Sequence, residues 1–177
     1  TLFYYSYFAY IAYNSSASAV RSYPKCISRE LYNQIPETDI RRELFLDPKG
    51  DTYTTSTGNA GSKTDLYKRA FAEHPNLNSS AKVYAYMQFK IAAEDQPGVG
   101  HLNNFRSSEM YLIEAEAEYF LNNPTAAQNA LNALTRDTGR DPEYNCDKTG
   151  DELLAEIKKY RSIELWGEGF EWFDLKR

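Results

Sequence analysis

The sequence predicts a mainly α-helical protein with a few short strands, and three features near its end carry that prediction. Between Phe105 and Leu121, the residues Met110, Ile113, Ala117 and Phe120 recur at helical spacing, which places them on one stripe of a helix. Asn123 and Pro124 then supply a cap and a favoured first helical residue, and Ala127, Ala130, Leu131 and Leu134 form a second stripe that Gly139 stops. So short a link makes the two helices antiparallel. Thr149, with Glu152 three residues on, reads as a capping box for a third helix through Leu153, Ile157 and Tyr160 towards Leu165.

The earlier elements are weaker. Tyr4, Tyr7, Tyr10 and Tyr13 recur every three residues with Phe3, Phe8 and Ile11 between them, so this opening helix is apolar all round and expected to be buried. After the Ser/Ala/Asn run 14–19 comes a loop through Tyr23 and Pro24, then a helix capped by Ser28 that carries Leu31 and Ile35 and stops at Pro36. A turn-rich helix over Glu37–Phe45 brings Asp39, Arg41 and Arg42 before the breaker Asp47-Pro48-Lys49-Gly50. Residues 52–62, rich in Thr, Ser and Gly around Tyr53, read as an exposed loop. Thr64 caps a short helix running to about His74. From Lys82 to Ile91, Val83, Ala85, Met87, Phe89 and Ile91 alternate with polar or tyrosine positions, the pattern of a strand, and Pro97, Gly98 and Gly100 make the next loop.

One position breaks the helical pattern. Continuing the 153-157-160 stripe lands on Glu164, a carboxylate on a face that is otherwise apolar. A buried carboxylate must be paired or protonated. Arg161, and Glu109 and Glu116 on the preceding helix, are the neighbours from which a network can be built. The small Ala115 and Ala117 beside Glu116 allow close helix approach, so Glu116 with Arg161 is the expected buried contact.

Composition excludes several classes. A chain of 177 residues with 42% apolar and 25% charged residues fits one globular domain able to fold without staples. Cys26 and Cys146 match neither a Cys-x-x-Cys nor a zinc spacing, and their positions leave open whether they are bridged. A net charge of −5 with scattered Lys and Arg argues against nucleic acid. Leu2–Tyr13 is too short and too tyrosine-rich to span a bilayer, and no basic start precedes it, so any export signal is expected to lie outside this sequence. Among 25 acidic residues, carboxylate pairs arise by chance and point to no glycosidase. His74 and His101 do not follow Glu-x-x-His spacing, and no phosphate loop or nucleophile motif is present, so no enzyme activity, metal or other cofactor is expected.

Three segments carry a family likeness. Phe105 to Ala117 resembles the Arg-x-x-Glu-x-x-Leu-x-x-Ala-Glu-Ala helix of SusD/RagB proteins, with Arg106, Glu109 and Glu116 at matching positions. Ala126–Leu134 resembles the helix that follows it, leading through Asn132 to Arg136. Tyr160–Arg177 is similar to the family's Glu-Arg-x-x-Glu-Leu-x-x-Glu-Gly-x-Arg-x-x-Asp-Leu-x-Arg signature through Arg161, Glu164, Glu168, Gly169, Asp174 and Arg177, with Trp172 inside it. It departs at Tyr160, where an acid is usual, and at Glu171. The likeness spans residues 80–177 and touches Thr38–Arg42.

The resemblance implies a SusD-like helical fold with tetratricopeptide-like helix pairs, of which 105–138 is one, and residues 1–177 as a single C-terminal domain of a longer protein. It also implies a lipid-anchored protein on the outer face of the outer membrane of Bacteroidetes, the anchor lying outside this chain, which captures oligosaccharides or polysaccharides with a SusC-like TonB-dependent transporter. An alternative is a helical scaffold that docks the transporter without binding sugar itself. Sugar-contacting aromatics are expected from loops, hence Tyr23 and Tyr53, whereas Trp166 and Trp172, inside the signature, are expected in the core.

Overall fold

A computed structural model describes residues 9–50, 60–62, 64–94 and 105–176. The Leu2–Phe8 part of the opening segment, Tyr53 with most of its loop, Pro97–Gly100, His101 and Arg177 lie outside the described residues. The chain divides into two compact units, Thr1–Arg29 with Glu43–Leu102 and Glu30–Arg42 with Asn103–Arg177. The one-turn helix α2 (Arg29–Tyr32) and a 3-10 turn, Ile40–Leu44, mark where the chain enters and leaves the second unit. Where the sequence led us to expect a longer helix over Glu37–Phe45, only that tight turn forms.

The first unit is mostly irregular. After the short α1 (Ser18–Ser22), its principal helix is α3 (Asp65–Glu73), started as expected by Thr64, whose hydroxyl accepts from the Tyr67 amide at 3.2 Å. The strand expected over Lys82–Ile91 does not form. Tyr86 takes a left-handed backbone (φ +64°), which no strand accommodates, and what remains are isolated antiparallel bridges, Cys26 to Met87, Phe45 to Gln88 and Ala60 to Val83. Val83, Met87 and Phe89 still join Leu46, Leu66 and Leu77 in one apolar cluster, but Gln88, on the polar phase of the pattern, is buried too, and Ala85 and Ile91 are only half-buried. The opening segment is only half covered: Ala9 and Ala12 are buried, but Tyr10 is 60% exposed, contrary to the expectation for an all-apolar helix. Its helical stretch ends at Ile11, and the chain turns so that the Tyr13 amide bonds the Ile91 carbonyl. Tyr13 then packs edge-on against His74 and Phe89.

The second unit is built from α4 (Ser107–Phe120), α5 (Pro124–Asn132) continued by a π-helical turn at Ala133–Asp137, α6 (Gly150–Glu164) and the single turn α7 (Glu171–Asp174). Pro124 sits at the start of α5 as expected. The cap side chains do not behave as the sequence pattern predicts: Asn123 gives its amide to Glu118, and the Thr149 hydroxyl makes no capping bond. The α4 and α5 hairpin closes on α6 through Leu112, Ala115, Ala127, Leu131, Leu153 and Ile157.

Helix α4 buries the face opposite to the one expected. Ser108, Leu112 and Ala115 point into the core, while Met110, Ile113 and Phe120 are 50%, 47% and 64% exposed. Both sides of this helix are apolar, and α5 and α6 take the side bearing the small Ser108 and Ala115, where backbones approach most closely. Among the described residues, no helix is long and apolar enough to cross a membrane.

Candidate functional site

The signature residues assemble around one carboxylate inside the second unit. Glu164, at the end of α6, is 4% exposed and accepts from Arg41 at 3.0 Å, Arg106 at 3.0 Å and Arg140 at 3.0 Å. Each arginine has further partners. Arg41 grips Asp39 at 2.6 Å, Arg106 reaches Glu168 at 2.8 Å and the Glu164 carbonyl at 2.8 Å, and Arg140 reaches the Ser108 hydroxyl at 3.1 Å. Burial alone would push the Glu164 carboxyl up, but Arg140, Arg41 and Arg106, with a hydrogen bond from Ser108, outweigh it and hold the group below its ordinary range. Arg41 also lies 4.9 Å from the Tyr160 ring centroid, so Tyr160, where the signature has an acid, covers the network instead of joining it. A fixed, saturated cluster of this kind holds helices together and offers no open position for a ligand.

The expected contact of Glu116 with Arg161 is not made. The Arg161 guanidinium goes instead to Asp174, at 2.7 Å, and lies over Phe170, because the glycine-rich turn after α6 brings α7 back onto it. That turn needs its glycines: Gly167 and Gly169 have φ of +76° and +89°, and no atom lies within 4 Å of a side chain added at Gly169, so the demand there is conformational rather than spatial. Glu109, in the first turn of α4, takes no part in the network. Trp172 is 65% exposed, not buried as expected, because the one-turn α7 is anchored through Asp174 and has no second turn to cover its far side. Trp166 is half-buried.

Around the exposed stripe of α4 runs a groove of about 830 Å³, lined by Ile113, Ala117, Phe120 and Leu175, with Glu116, Lys158 and Arg161 along it. All of these residues belong to the second unit.

In the first unit, Tyr23 stands 72% exposed beside Pro24, with Lys82 Nζ 5.9 Å from its ring centroid. The Lys82 amide is tied to the Arg21 carbonyl at 2.7 Å, and the Arg21 guanidinium to the Ser80 hydroxyl at 2.5 Å. The same unit holds a shallow pocket of about 430 Å³, lined by Asn14, Asn76, Asn78, Ser79, Ala93 and Glu94. Both cysteines are free, Cys26 exposed and Cys146 buried. Among the described residues, no group of three His, Cys, Asp or Glu side chains gathers as a metal site requires.

Compared with known protein families, residues 3–177 match the model of the SusD family. The chain belongs to the SusD family. Among solved structures it is similar to a SusD-like carbohydrate binding protein from Bacteroides vulgatus, with a TM-score of 0.61 and 23% identity over 95% of this chain and 29% of that one. This SusD-family chain therefore spans less than a third of the length of that protein, and the likeness establishes a shared fold. No match was found among curated proteins.

For a SusD-family chain, the sequence signature thus marks an internal clamp. Arg106, Glu164 and Glu168 meet in it and Arg161 pairs with Asp174, while Arg41, Asp39 and Arg140 are members that sequence reasoning did not assign. For Asp39 and Arg41 the available signal is the segment Thr38–Arg42, which resembles the family at those positions.

Proposed function

We propose that this chain is part of a carbohydrate-binding protein of the bacterial cell surface, one that captures oligosaccharides or polysaccharides and performs no chemistry on them. In this reading it works with a SusC-like TonB-dependent transporter and is held at the outer membrane by a lipid anchor. Membership of the SusD family supports the reading, and the exposed Tyr23 ring carries it structurally. An aromatic face open to water stacks on the C–H face of a pyranose ring, and nearby Arg21 and Lys82 supply donors to hydroxyls. Tyr53 is proposed as a second contact of this kind.

Native affinity electrophoresis against plant, host and microbial polysaccharides tests this. One or more glycans should retard the protein, and Tyr23→Ala should weaken retardation about fivefold, equivalent to about 1 kcal/mol of lost stacking. Retardation by none of them would overturn the reading.

The exposed apolar stripe of α4 favours a second role, docking of a helix from the transporter or another protein. Ile113→Glu with Phe120→Glu separates the two: it should spare glycan retardation and abolish co-purification with the transporter.

A further inference from the structure

Two stretches of the first unit contain no acidic residue. No Asp or Glu precedes Glu30, and none lies between Glu73 and Glu94, although the chain carries 25 of them. The same stretches hold the basic residues Arg21, Lys25 and Lys82. Folding lays the two side by side. The Lys82 amide donates to the Arg21 carbonyl at 2.7 Å, the Tyr84 hydroxyl to the Ser22 carbonyl at 3.3 Å, the Gln88 amide to the Lys25 carbonyl at 2.9 Å and the Ile27 amide to the Tyr86 carbonyl at 3.0 Å. These bonds fall on both sides of Tyr23 in the chain, so the exposed ring stands on a seam whose own charged side chains are cations. Among the described residues, no carboxylate neutralises Arg21 or Lys82. The Arg21 guanidinium goes to two neutral oxygens, the Ser16 carbonyl at 2.8 Å and the Ser80 hydroxyl at 2.5 Å. Lys82 Nζ stands 5.9 Å from the Tyr23 ring centroid, at the outer limit of a cation–π contact and too far to satisfy its three donors. The mount of the ring is rigid, because the Tyr23 amide is held by the Ala19 carbonyl at 2.9 Å and Pro24 fixes the backbone that follows. An aromatic face mounted in this way does not have to be ordered when a ligand arrives.

We infer that the Tyr23 site takes saccharides bearing an anionic group, a uronate carboxylate or a sulfate ester. The inference rests on the glycan-binding reading and narrows the ligand of that site. Stacking on the tyrosine uses the C–H face of a pyranose. A pyranose stacked on the face that Lys82 borders puts its substituents beside the ammonium. A neutral hydroxyl there would replace water at the ammonium, a nearly even exchange. A carboxylate or sulfate would instead make a charge-assisted bond, roughly twice as strong as a neutral one. Lys82 is therefore the residue that tells a charged sugar from an uncharged one. The ammonium is a point charge, so planar and tetrahedral anions serve it alike. A polyanion with no sugar ring to stack would engage the cations alone and gain nothing from Tyr23.

The test is affinity electrophoresis of wild type, Tyr23→Ala, Lys82→Gln and Lys82→Arg, each gel run beside one without polysaccharide. The panel is polygalacturonate for carboxylate, dextran sulfate for sulfate, and galactomannan and xyloglucan as uncharged glycans. The Lys82 amide, not its side chain, holds the Arg21 carbonyl, so both Lys82 variants keep that bond and an unchanged circular-dichroism melt is the folding control. Wild type should be retarded by one or both acidic glycans more strongly than by the uncharged pair, and added salt should weaken the effect. Lys82→Gln should lose about fivefold, the weight of one unit charge at contact distance in water, and Lys82→Arg should keep most of the retardation. Acidic retardation that Tyr23→Ala leaves intact would mean attraction by charge alone and would overturn the stacked site. Equal or stronger retardation by an uncharged glycan, or full retention in Lys82→Gln, would overturn the anionic assignment while leaving glycan binding standing. Retardation by no glycan of this panel or of the plant, host and microbial one would overturn both the assignment and the function it rests on.

Discussion

Replacing Glu164 by glutamine removes one negative charge from a site where three guanidinium groups converge. Two of the three keep other acids, Arg41 with Asp39 at 2.6 Å and Arg106 with Glu168 at 2.8 Å, but among the described residues Arg140 keeps only neutral partners such as Ser108 and Thr138. Breaking one side of a buried ion pair costs about 3–5 kcal/mol, and the remaining partners put this case near the lower end, about 3 kcal/mol. With a urea slope of about 1.5 kcal/mol/M for a unit of this size, the unfolding midpoint should fall by about 2 M. Trp166 and Trp172 are the two tryptophans of the sequence and both lie in the second unit, so their fluorescence reports the unit that holds the network.

Acid supplies an internal check. Because the folded Glu164 carboxyl titrates below its ordinary value of 4.5, its contribution is complete above that value and is lost as the pH falls from 4.5 towards the folded pKa. The gap between wild type and Glu164→Gln should therefore narrow on acidification. A midpoint shift under about 0.5 M at neutral pH, or a gap that stays constant down the acid limb, would refute a buried, ionised Glu164 as the centre of the unit.

Two further substitutions test the clamps elsewhere. Asn14→Ala strips partners from both backbone groups of the buried Ala93 and should cost about 2–3 kcal/mol, read by faster hydrogen exchange at the Ala93 amide with the tryptophan transition unmoved. Asp174→Asn should cost the second unit about 2 kcal/mol, since the Arg161 side chain is 10% exposed, and should lower the fluorescence anisotropy of Trp172 as α7 loosens.

What could be read from the sequence was periodicity, and what could not was partnership. The stripe ending on Glu164 correctly marked a carboxylate that had to be paired, but Arg41 lies 123 residues away in sequence and no local spacing points to it. Arg140, only 24 residues away, sits just beyond Gly139 in what reads as a loop. On α4, apolar residues occupy two faces, and only the presence of α5 and α6 decides which is covered. The alternation at 83–91 pointed to the buried Val83, Met87 and Phe89 but not to Gln88, which is buried on the polar phase, and it overstated regularity, because a single left-handed residue, Tyr86, ends any ladder. The polar pocket was illegible for a simpler reason: Asn14, the turn at 75–79 and Glu94 are three unremarkable stretches until the chain folds.

The clamp on Glu164 also sets an order on the making of the protein. Its arginines are translated in sequence, 41, then 106, then 140, and their common counter-ion comes last of all. Until α6 has left the ribosome, closing the hairpin onto Glu30–Arg42 would bring Arg106 and Arg140 against the Arg41–Asp39 pair without their shared counter-ion, which disfavours early closure of the second unit. Any nascent chain that stops short of Glu164 lacks the charge on which the unit closes, which makes it a substrate for chaperones and proteases rather than a partly working protein.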